Sequence, residues 1–383
     1  MPESSSASGP RPRVALFSTN FLPWSQTFVY EELRSLVRYD AEVFAWRRRL
    51  AAQFPFAPVH VANLLYGATG YSPGFVRRFR EVRFAVVHAH FGPGAIYARP
   101  YAEQADLPLV VTFHGYDVPL LWTRQRFAPE HLPYAIGARR MLARMTLGLC
   151  VSNELIALLV RFGVPRERLR LHHLGIDTGA FAPGPRPDGF RALMVGRFVE
   201  KKGFDDGLRA FARFCARGGE GTLEIVGEGP LDARLRGAAR QLGLGERVRF
   251  LGRRSSAEVQ ALMRDSHVLL VPSVVARDED REGGVTVAKE ASACGTVVVG
   301  TVHGGTPEIV DHGVTGLLAP ERDVEALADH LLALAADPAL RARMGAAAVA
   351  KMRAEYDLRE RVDRLEDFYD EARALYERGR VGA

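Results

Sequence analysis

Short apolar runs alternate with longer amphipathic segments along almost the whole chain. Runs such as Val14–Ser18, Phe84–His90 and Leu109–Phe113 have the length and composition of buried β-strands. Strands that alternate with helices pair in parallel through crossover connections, so the pattern predicts α/β domains with doubly wound parallel sheets. The other predicted strands are Ala41–Trp46, Leu147–Val151, Leu169–His172, Phe190–Val195, Thr222–Val226, Val248–Leu251, His267–Val271 and Thr296–Val299, and the predicted helices are Phe28–Tyr39, Gly94–Gln104, Asn153–Phe162, Phe204–Ala216, Val324–Ala336, Ala339–Met352 and Leu358–Tyr376.

A proline-rich segment at 183–189 interrupts this alternation. Proline extends neither a helix interior nor a central strand, so the segment is predicted to be an interdomain linker. The predicted organisation is a disordered tail at 1–12, a first Rossmann-like domain at 13–182 and a second at 190–356. A final charged helix at 357–383 carries an apolar stripe at helical spacing.

The composition is that of a globular protein of two domains. The chain has 383 residues, of which 47% are hydrophobic and 25% are charged. No apolar run reaches the roughly 18–20 residues of a membrane-spanning helix, and the Ser/Pro-rich N-terminus lacks the apolar core of a signal peptide. Three isolated cysteines, Cys150, Cys215 and Cys294, support neither a disulfide framework nor a zinc site, so we expect a cytoplasmic protein.

Charge is distributed unevenly along the chain. Residues 1–188 carry 22 Arg, no Lys and 14 acidic residues, a net charge of +8, whereas residues 189–383 carry 29 basic and 31 acidic residues, a net charge of −2. The basic half suits an anionic lipid surface, which would place the protein peripherally at the inner membrane face, or an anionic acceptor. The alternative, which we favour, is a solvated arginine-rich surface. We expect no nucleic acid partner.

Two carboxylates flank a glycine pair in the segment 271–310, where a strand and a polar loop lead into a predicted helix. Glu282 and Glu290 are eight residues apart and would lie about 12 Å from each other along a helix. That distance matches the reach from a sugar, across a diphosphate, to a ribose. The spacing therefore suits a nucleotide-sugar site; the alternative is a solvated helix start with ordinary surface glutamates.

The helix start between these carboxylates is suited to a phosphate. The backbone N–H groups of Gly284, Val285 and Thr286 would point out of the helix, where its dipole favours an anion. Gly283 and Gly284 have no side chain, so a phosphate can approach the backbone closely.

The chain resembles glycosyltransferase family 4 in this region. The Glu282-x7-Glu290 spacing, Gly304–Val310 and Gly313–Leu318 are similar to the pattern of that family of retaining nucleotide-sugar transferases. The resemblance implies the GT-B fold, in which two Rossmann-like domains face each other across a cleft. It also implies an acceptor-binding first domain, a donor-binding second domain and a last helix that crosses back to the first.

Arg197 and Lys202 follow the predicted strand Phe190–Val195 and match the family's Gly-Arg-x4-Lys-Gly pattern. Ligands of such sheets bind at the carboxyl ends of strands, and these two cations could neutralise a diphosphate without a metal. We expect Lys201 to be solvated, like the acidic loop Asp278–Asp280, which contains the sequence's Asp-x-Asp. We therefore predict no metal site and no cofactor requirement.

Residues at other strand ends are weaker candidates. His114 ends a predicted strand, and the resemblance implies a place for it at the donor sugar, near the reacting carbon; Asp117 either binds the acceptor or caps the turn. The resemblance also implies that Gly227 and Arg253 lie by the nucleotide. The loop with Ser25, Gln26 and Thr27 resembles the exopolysaccharide and colanic-acid branch, and it is a candidate acceptor wall.

The resulting hypothesis is a retaining, metal-independent glycosyltransferase. Its donor would be a nucleotide-diphosphate sugar, UDP-linked or GDP-linked, and its acceptor a glycan, a lipid-linked glycan or a small molecule, in polysaccharide or glycosylated natural-product biosynthesis. In this hypothesis His114, Glu282, Arg197 and Lys202 carry the chemistry. The alternatives are an epimerase or phosphorylase of the same fold, or a non-catalytic nucleotide-sugar-binding protein.

Overall fold

The computed structural model describes residues 10–22, 27–63 and 66–381, and the chain divides into two compact units. The first unit comprises Met1–Val151, Ile156–Gly175 and Leu358–Ala383, and the second comprises Ser152–Leu155 and Ile176–Asp357. Each unit is built around its own parallel sheet.

The helices and strands follow each other in α/β alternation. In the first part of the chain they are β1 (Arg13–Phe21), α1 (Thr27–Arg34), β2 (Asp40–Arg48), β3 (Val59–Val61), α2 (Tyr66–Thr69), α3 (Pro73–Glu81), β4 (Phe84–His90), α4 (Gly92–Gln104), β5 (Leu109–Phe113), α5 (Leu132–Arg144), β6 (Leu147–Cys150), α6 (Asn153–Arg161) and β7 (Leu169–Leu171). They continue with β8 (Arg191–Val195), α7 (Phe204–Ala216), β9 (Thr222–Val226), α8 (Asp232–Gln241), β10 (Val248–Gly252), α9 (Ser256–Asp265), β11 (Val268–Val271), α10 (Thr286–Ala293), β12 (Val297–Thr301), α11 (Thr306–Ile309), β13 (Gly316–Ala319), α12 (Val324–Ala336), α13 (Pro338–Glu355) and α14 (Leu358–Val381).

Both sheets have the doubly wound order. The first unit has seven strands in the order β3-β2-β1-β4-β5-β6-β7, and the second has six in the order β10-β9-β8-β11-β12-β13. All pairings between these strands are parallel. In each sheet the strand order reverses beside the first strand of the unit, β1 or β8, which is where ligands of such sheets bind. The predicted fold class is therefore confirmed.

The last helix, α14, belongs to the first unit. Its apolar stripe, which includes Leu365, Phe368 and Tyr369, packs in one core cluster with Val14 of β1 and Val86 of β4. Burial of this stripe removes apolar surface from water, which accounts for the helical spacing seen in the sequence.

A buried carboxylate on α14 sets the end of α1. Glu366 Oε1 accepts hydrogen bonds from the backbone N–H groups of Val37, Arg38 and Tyr39, at 2.9, 2.6 and 3.0 Å. These groups therefore do not continue the helix, and α1 ends at Arg34. The predicted helix Phe28–Tyr39 was too long for this reason.

The proline-rich segment at 183–189 is hydrogen-bonded to the second unit. Arg186 donates from Nε to the Ser266 carbonyl and from Nη2 to the Cys294 carbonyl, both at 2.9 Å. The boundary between the units falls at Gly175 and Ile176, so 183–189 lies inside the second unit and not between the two.

No helix in the described part of the chain is both long enough and apolar enough to cross a membrane.

Replacing Glu366 by Gln should destabilise the first unit by about 1.5–3 kcal/mol, because a charged acceptor of three backbone donors is lost. Urea unfolding would measure the change. Glu360→Gln, at an exposed position of the same helix, is the matched control and should be close to neutral. Equal stabilities for the two variants would contradict this account of α14.

Candidate functional site

Loops from two neighbouring strands of the second unit meet at its sheet edge. Strand β8 pairs with β11, so the segments that follow their carboxyl ends start side by side. The loop after β8 forms a single 3-10 turn, Glu200–Lys202. The backbone N–H of Val274, in the loop after β11, donates to the Lys201 carbonyl at 2.9 Å. The two loops are thereby joined.

A buried ion pair links the same two loops. Lys202 Nζ donates to Glu282 Oε2 at 2.8 Å, and the Lys201 ammonium lies 3.7 Å from Oε1. Glu282 is 7% exposed. Burial alone would raise the pKa of Glu282, but the charges of Lys202 and Lys201 and the hydrogen bond from Lys202 lower it to about 2. Glu282 is therefore a carboxylate at any physiological pH.

One oxygen of this carboxylate differs from the other in its hydrogen bonding. Glu282 Oε1 is buried and has no hydrogen-bond partner among the described residues. A buried polar atom without a partner is destabilising, and in a native site it indicates a ligand or water that completes its hydrogen bonding. Carboxylate oxygens accept hydrogen bonds from hydroxyl groups, so this atom suits a sugar.

Lys201 is not solvated, contrary to the prediction. Its side chain is largely buried and donates to Asp280 at 3.0 Å and to the Arg281 carbonyl at 3.1 Å. Hydrogen bonds from Lys201 therefore join the acidic loop to the 3-10 turn Glu200–Lys202. Among the residues that the structure describes, no group of three or more His, Cys, Asp or Glu side chains is arranged to hold a metal ion.

A histidine that the sequence did not single out fixes the backbone of Glu282. Nε2 of His303 accepts from the Glu282 N–H at 3.1 Å, and Nδ1 lies 2.6 Å from a carboxylate oxygen of Glu321. Since Nε2 must accept, the ring is the tautomer with its proton on Nδ1, which donates to Glu321. The backbone also needs the adjacent glycine: Gly304 has a φ of 55°, and a Cβ there would overlap the Glu282 carbonyl oxygen.

The predicted helix start is present. Helix α10 begins at Thr286 with Val285 as its N-cap, so the N–H groups of its first turn have no acceptor within the helix. Gly283 and Gly284 precede it, and the Gly283 carbonyl accepts from the Gly305 N–H at 3.0 Å.

Glu290 lies in the second turn of this helix. Burial raises its pKa to about 7, and the neighbouring Lys289 charge offsets part of that effect. The group is thus divided between its acid and carboxylate forms near neutral pH.

The remaining candidates of the second unit have different surroundings. Arg197 is exposed just after β8 and forms no ion pair with any described residue. Arg253 is paired with Glu228 at 3.2 Å. Gly227 has a packing role, because its N–H donates to the Gly252 carbonyl and a Cβ there would overlap the Gly196 carbonyl oxygen.

In the first unit, Asp117 holds the turn that follows β5. Its carboxylate is fully buried and accepts from the N–H groups of His114 (3.1 Å), Gly115 (3.0 Å) and Gly92 (2.9 Å). Burial raises the pKa of Asp117 to about 6 against the lowering effect of these hydrogen bonds. Both oxygens accept from backbone N–H groups, so Asp117 caps the turn, which is the second of its two predicted roles.

His114 is half-buried and forms a pair with a second histidine. Its Nε2 lies 3.0 Å from Nδ1 of His90, and the two rings are stacked. Burial lowers the pKa of His90 to about 4, so His90 is neutral at physiological pH. Phe28 and Phe91 also contact the His114 ring.

Thr27 is the first residue of α1. Ser25 and Gln26, the other two residues predicted for the acceptor wall, lie outside the described residues.

Comparison with known proteins supports these observations. The family model for glycosyl transferases group 1 matches residues 177–351, and the model for glycosyltransferase family 4 matches residues 25–180. The WcaL glycosyltransferase assigned to colanic acid biosynthesis in Escherichia coli K12 is 33% identical over 256 residues, which is 66% of this chain and 61% of that protein. The amylovoran biosynthesis glycosyltransferase AmsK of Erwinia amylovora is 32% identical over 273 residues, 70% of this chain and 65% of that protein.

Solved structures share the fold. Anabaena Alr3699/HepE, crystallised in complex with UDP, superposes with a TM-score of 0.76 at 19% identity, covering 94% of this chain and 100% of that one. Sucrose-phosphate synthase from Thermosynechococcus elongatus gives a TM-score of 0.76 at 22% identity, covering 95% and 100%.

The two sheets and these structural neighbours define the chain as a GT-B protein. The two family models, which between them span most of the chain, place it more narrowly: it belongs to glycosyltransferase family 4, on the branch that contains the colanic acid and amylovoran proteins. The matches cover 61% of WcaL and 65% of AmsK.

Replacing His303 by Ala should leave the buried Glu282 N–H without an acceptor, and this should cost about 1–3 kcal/mol of stability. His303→Gln should recover part of the loss, because the amide oxygen can accept the same hydrogen bond. Thermal unfolding would measure both changes, with His131→Ala as the control. Equal melting temperatures for His303→Ala and the control would show that this hydrogen bond does not hold the loop.

Proposed function

We propose that this protein transfers a sugar, with retention of anomeric configuration, from a nucleotide-diphosphate donor to a glycan, lipid-linked or small-molecule acceptor. The observation that carries the proposal is the buried Glu282 carboxylate. It is ionised and fixed by Lys202, one of its oxygens forms no hydrogen bond with any described residue, and it lies four residues before the start of a helix. A hydroxyl-rich group joined to a phosphate satisfies both features at once.

The diphosphate is bound by Arg197, Lys202 and the N–H groups of residues 284–286. Arg197 has no acidic partner among the described residues, so its guanidinium is available to phosphate oxygens. Negative charge grows on the diphosphate as its bond to the sugar breaks, and fixed cations and amide dipoles stabilise that charge without reorganisation.

The sugar and the ribose are held by carboxylates. Glu282 accepts from sugar hydroxyls through Oε1 and Glu290 accepts from the ribose, and we propose that His114 contacts the sugar. The low basicity of Glu282 makes it a poor nucleophile, which favours a same-face displacement over a covalent glycosyl-enzyme intermediate.

The donor is most simply a UDP-sugar, with a GDP-sugar as the alternative. HepE, which shares the fold, was crystallised with UDP and with UDP-glucose, and WcaL and AmsK are assigned to exopolysaccharides. We accordingly propose a role in the biosynthesis of exopolysaccharide, or of a related polysaccharide or glycoside. Catalysis would take place on the cytoplasmic side of the membrane.

Two other activities of the same fold are less well supported. A phosphorylase needs a lysine free to hold pyridoxal phosphate, and all four lysines of this chain have partners: Lys201 and Lys202 are in ion pairs with acidic residues, Lys351 is paired with Asp311, and Lys289 packs on Tyr356. A non-catalytic nucleotide-sugar-binding protein, or an epimerase, would leave every acceptor unmodified.

The test is an assay of purified protein with UDP-sugars and GDP-sugars, with and without oligosaccharide and lipid-linked acceptors. Nucleotide release together with a new glycoside of retained configuration, detected by proton NMR, is expected. Binding without release would favour the non-catalytic alternative. Activity that EDTA abolishes and magnesium or manganese restores would overturn the metal-independent site.

Alanine at Arg197 should lower kcat by roughly 100-fold or more, because single donors that act on transition-state charge have effects of that size. Lysine at position 197 should recover only part of the activity, since it lacks the planar fork. Lys202→Ala should lower kcat similarly and also reduce stability, because the buried Glu282 carboxylate then loses its hydrogen-bonded counter-charge and keeps only the Lys201 ammonium, 3.7 Å away. Steady-state kinetics measures the change in kcat and thermal unfolding measures the change in stability, with Arg240→Ala as an exposed control. Normal turnover of a folded Arg197→Ala protein would show that Arg197 does not take part in the reaction.

Affinity for the nucleotide sugar should increase as pH rises through about 7. The carboxylate form of Glu290 is the stronger acceptor for ribose hydroxyls, and its raised pKa means that the free protein holds a proton there at lower pH, which binding must displace. Below that pKa the affinity should change by up to about tenfold per pH unit. Calorimetry with a UDP-sugar, whose diphosphate does not titrate near neutrality, is the measurement. Glu290→Gln should bind more weakly and independently of pH; a wild-type affinity without pH dependence would contradict the role of Glu290.

A further inference from the structure

The first unit exposes large apolar side chains on α5 and on the turn that precedes it. Phe127, Leu132 and Ile136 are 63%, 43% and 76% exposed. Leu132 and Ile136 are one helical turn apart and Arg140 follows one turn later, so all three lie on one side of α5. Phe127 ends the 3-10 turn just before the helix. We name the surface formed by Phe127, Leu132, Ile136, Arg139 and Arg140 the α5 face.

The opposite side of the same helix is fixed in the core. Tyr134, Ala138, Met141 and Leu142 are all buried. The exposed apolar residues are therefore held outward by a well-packed helix. Several large apolar side chains within ten residues, bordered by charges, are typical of an interaction site.

The surroundings of the α5 face are strongly basic. Residues 119–144 contain five arginines and one exposed acid, Glu130. Arg140 lies 3.4 Å from Glu103, but Arg99 already binds that carboxylate through two hydrogen bonds of 2.8 Å. Arg139 lies over the Phe162 ring. The arginine charges are thus largely uncompensated.

The turn after β5 that contains His114, which we call the His114 turn, is connected to the α5 face through the helix itself. Tyr134, in the first turns of α5, packs directly against Gly92. The Gly92 N–H donates to Asp117, which also holds the N–H of His114. The segment that exposes Ile136 on one side therefore supports the His114 turn on the other.

We propose that the α5 face docks on an anionic lipid surface, where Phe127, Leu132 and Ile136 enter the interface and the arginines contact lipid phosphates. Apolar side chains beside basic ones are the combination that binds such surfaces. Burial of the apolar side chains and the attraction of the arginines to lipid phosphates both contribute to the binding. This inference rests on the proposed function, because it presents the His114 turn to acceptors that are anchored in the membrane.

Co-sedimentation of the full chain with vesicles tests the proposal. We expect binding to vesicles with roughly one-third phosphatidylglycerol, little binding to pure phosphatidylcholine, and loss of binding at high salt. Arg139→Glu/Arg140→Glu and Leu132→Ser/Ile136→Ser should each weaken the binding at least tenfold. The controls Arg77→Glu and Val314→Ser, at equally exposed positions away from the α5 face, should bind as the wild type does.

Each outcome is informative. Equal binding to both kinds of vesicle, no binding, or wild-type binding by the α5-face variants would overturn the proposal, and in the second case a protein partner would be the occupant to seek. Far-UV circular dichroism and UDP affinity should be unchanged in all variants, which separates docking from folding. Vesicle binding by a protein that transfers no sugar would overturn the proposed function and leave the docking surface standing.

Discussion

The ion pair between Lys202 and Glu282 is the interaction on which the candidate site of the second unit depends. A buried ion pair contributes little net stability, because removing both charges from water offsets their attraction. Its effect here is positional: it joins the loop after β8 to the loop after β11, and among the described residues one carboxylate oxygen forms no hydrogen bond. His303, which follows β12, holds the backbone of the same glutamate. Three adjacent strands therefore converge on one carboxylate.

The convergence follows from the parallel sheet. Parallel strands bring all their carboxyl ends to one edge, so residues far apart in the chain become neighbours without long connections. The cost is crowding at that edge, and glycine relieves it: Gly227 and Gly304 lie where a Cβ would overlap a carbonyl of a neighbouring loop. For Gly227 this packing role is sufficient, and no ligand contact is needed to explain the residue.

The sequence predicted the regular elements well and the long-range contacts poorly. Strands β4, β5 and β9 and helices α7 and α12 have the predicted bounds, because periodicity is a local property. The end of α1 was missed because its cause, Glu366, is more than 300 residues away in the chain.

The same limit applies to the site. Glu282, Lys202 and the helix start at Thr286 could be found from local spacing and strand ends. His303 and Glu321 could not, since nothing local distinguishes a histidine that accepts from the Glu282 N–H. Lys201 and Lys202 are adjacent in the sequence, and only Lys202 was predicted to have a binding role. In the structure both form ion pairs with acidic residues, Lys201 with Asp280 and Lys202 with Glu282, and no local feature of the sequence indicated the Lys201 pair.

The surroundings of Glu282 and of His114 differ in the charge that they offer a ligand. Around Glu282 the second unit gathers Lys201, Lys202 and the positive end of α10, groups that stabilise a diphosphate. Around His114 the first unit places aromatic rings and the neutral imidazole of His90. A nucleotide-diphosphate donor needs the cations, whereas a sugar needs hydrogen bonds and apolar contact but no counter-charge. The charge around each of these residues thus agrees with the part of the donor that we propose it contacts.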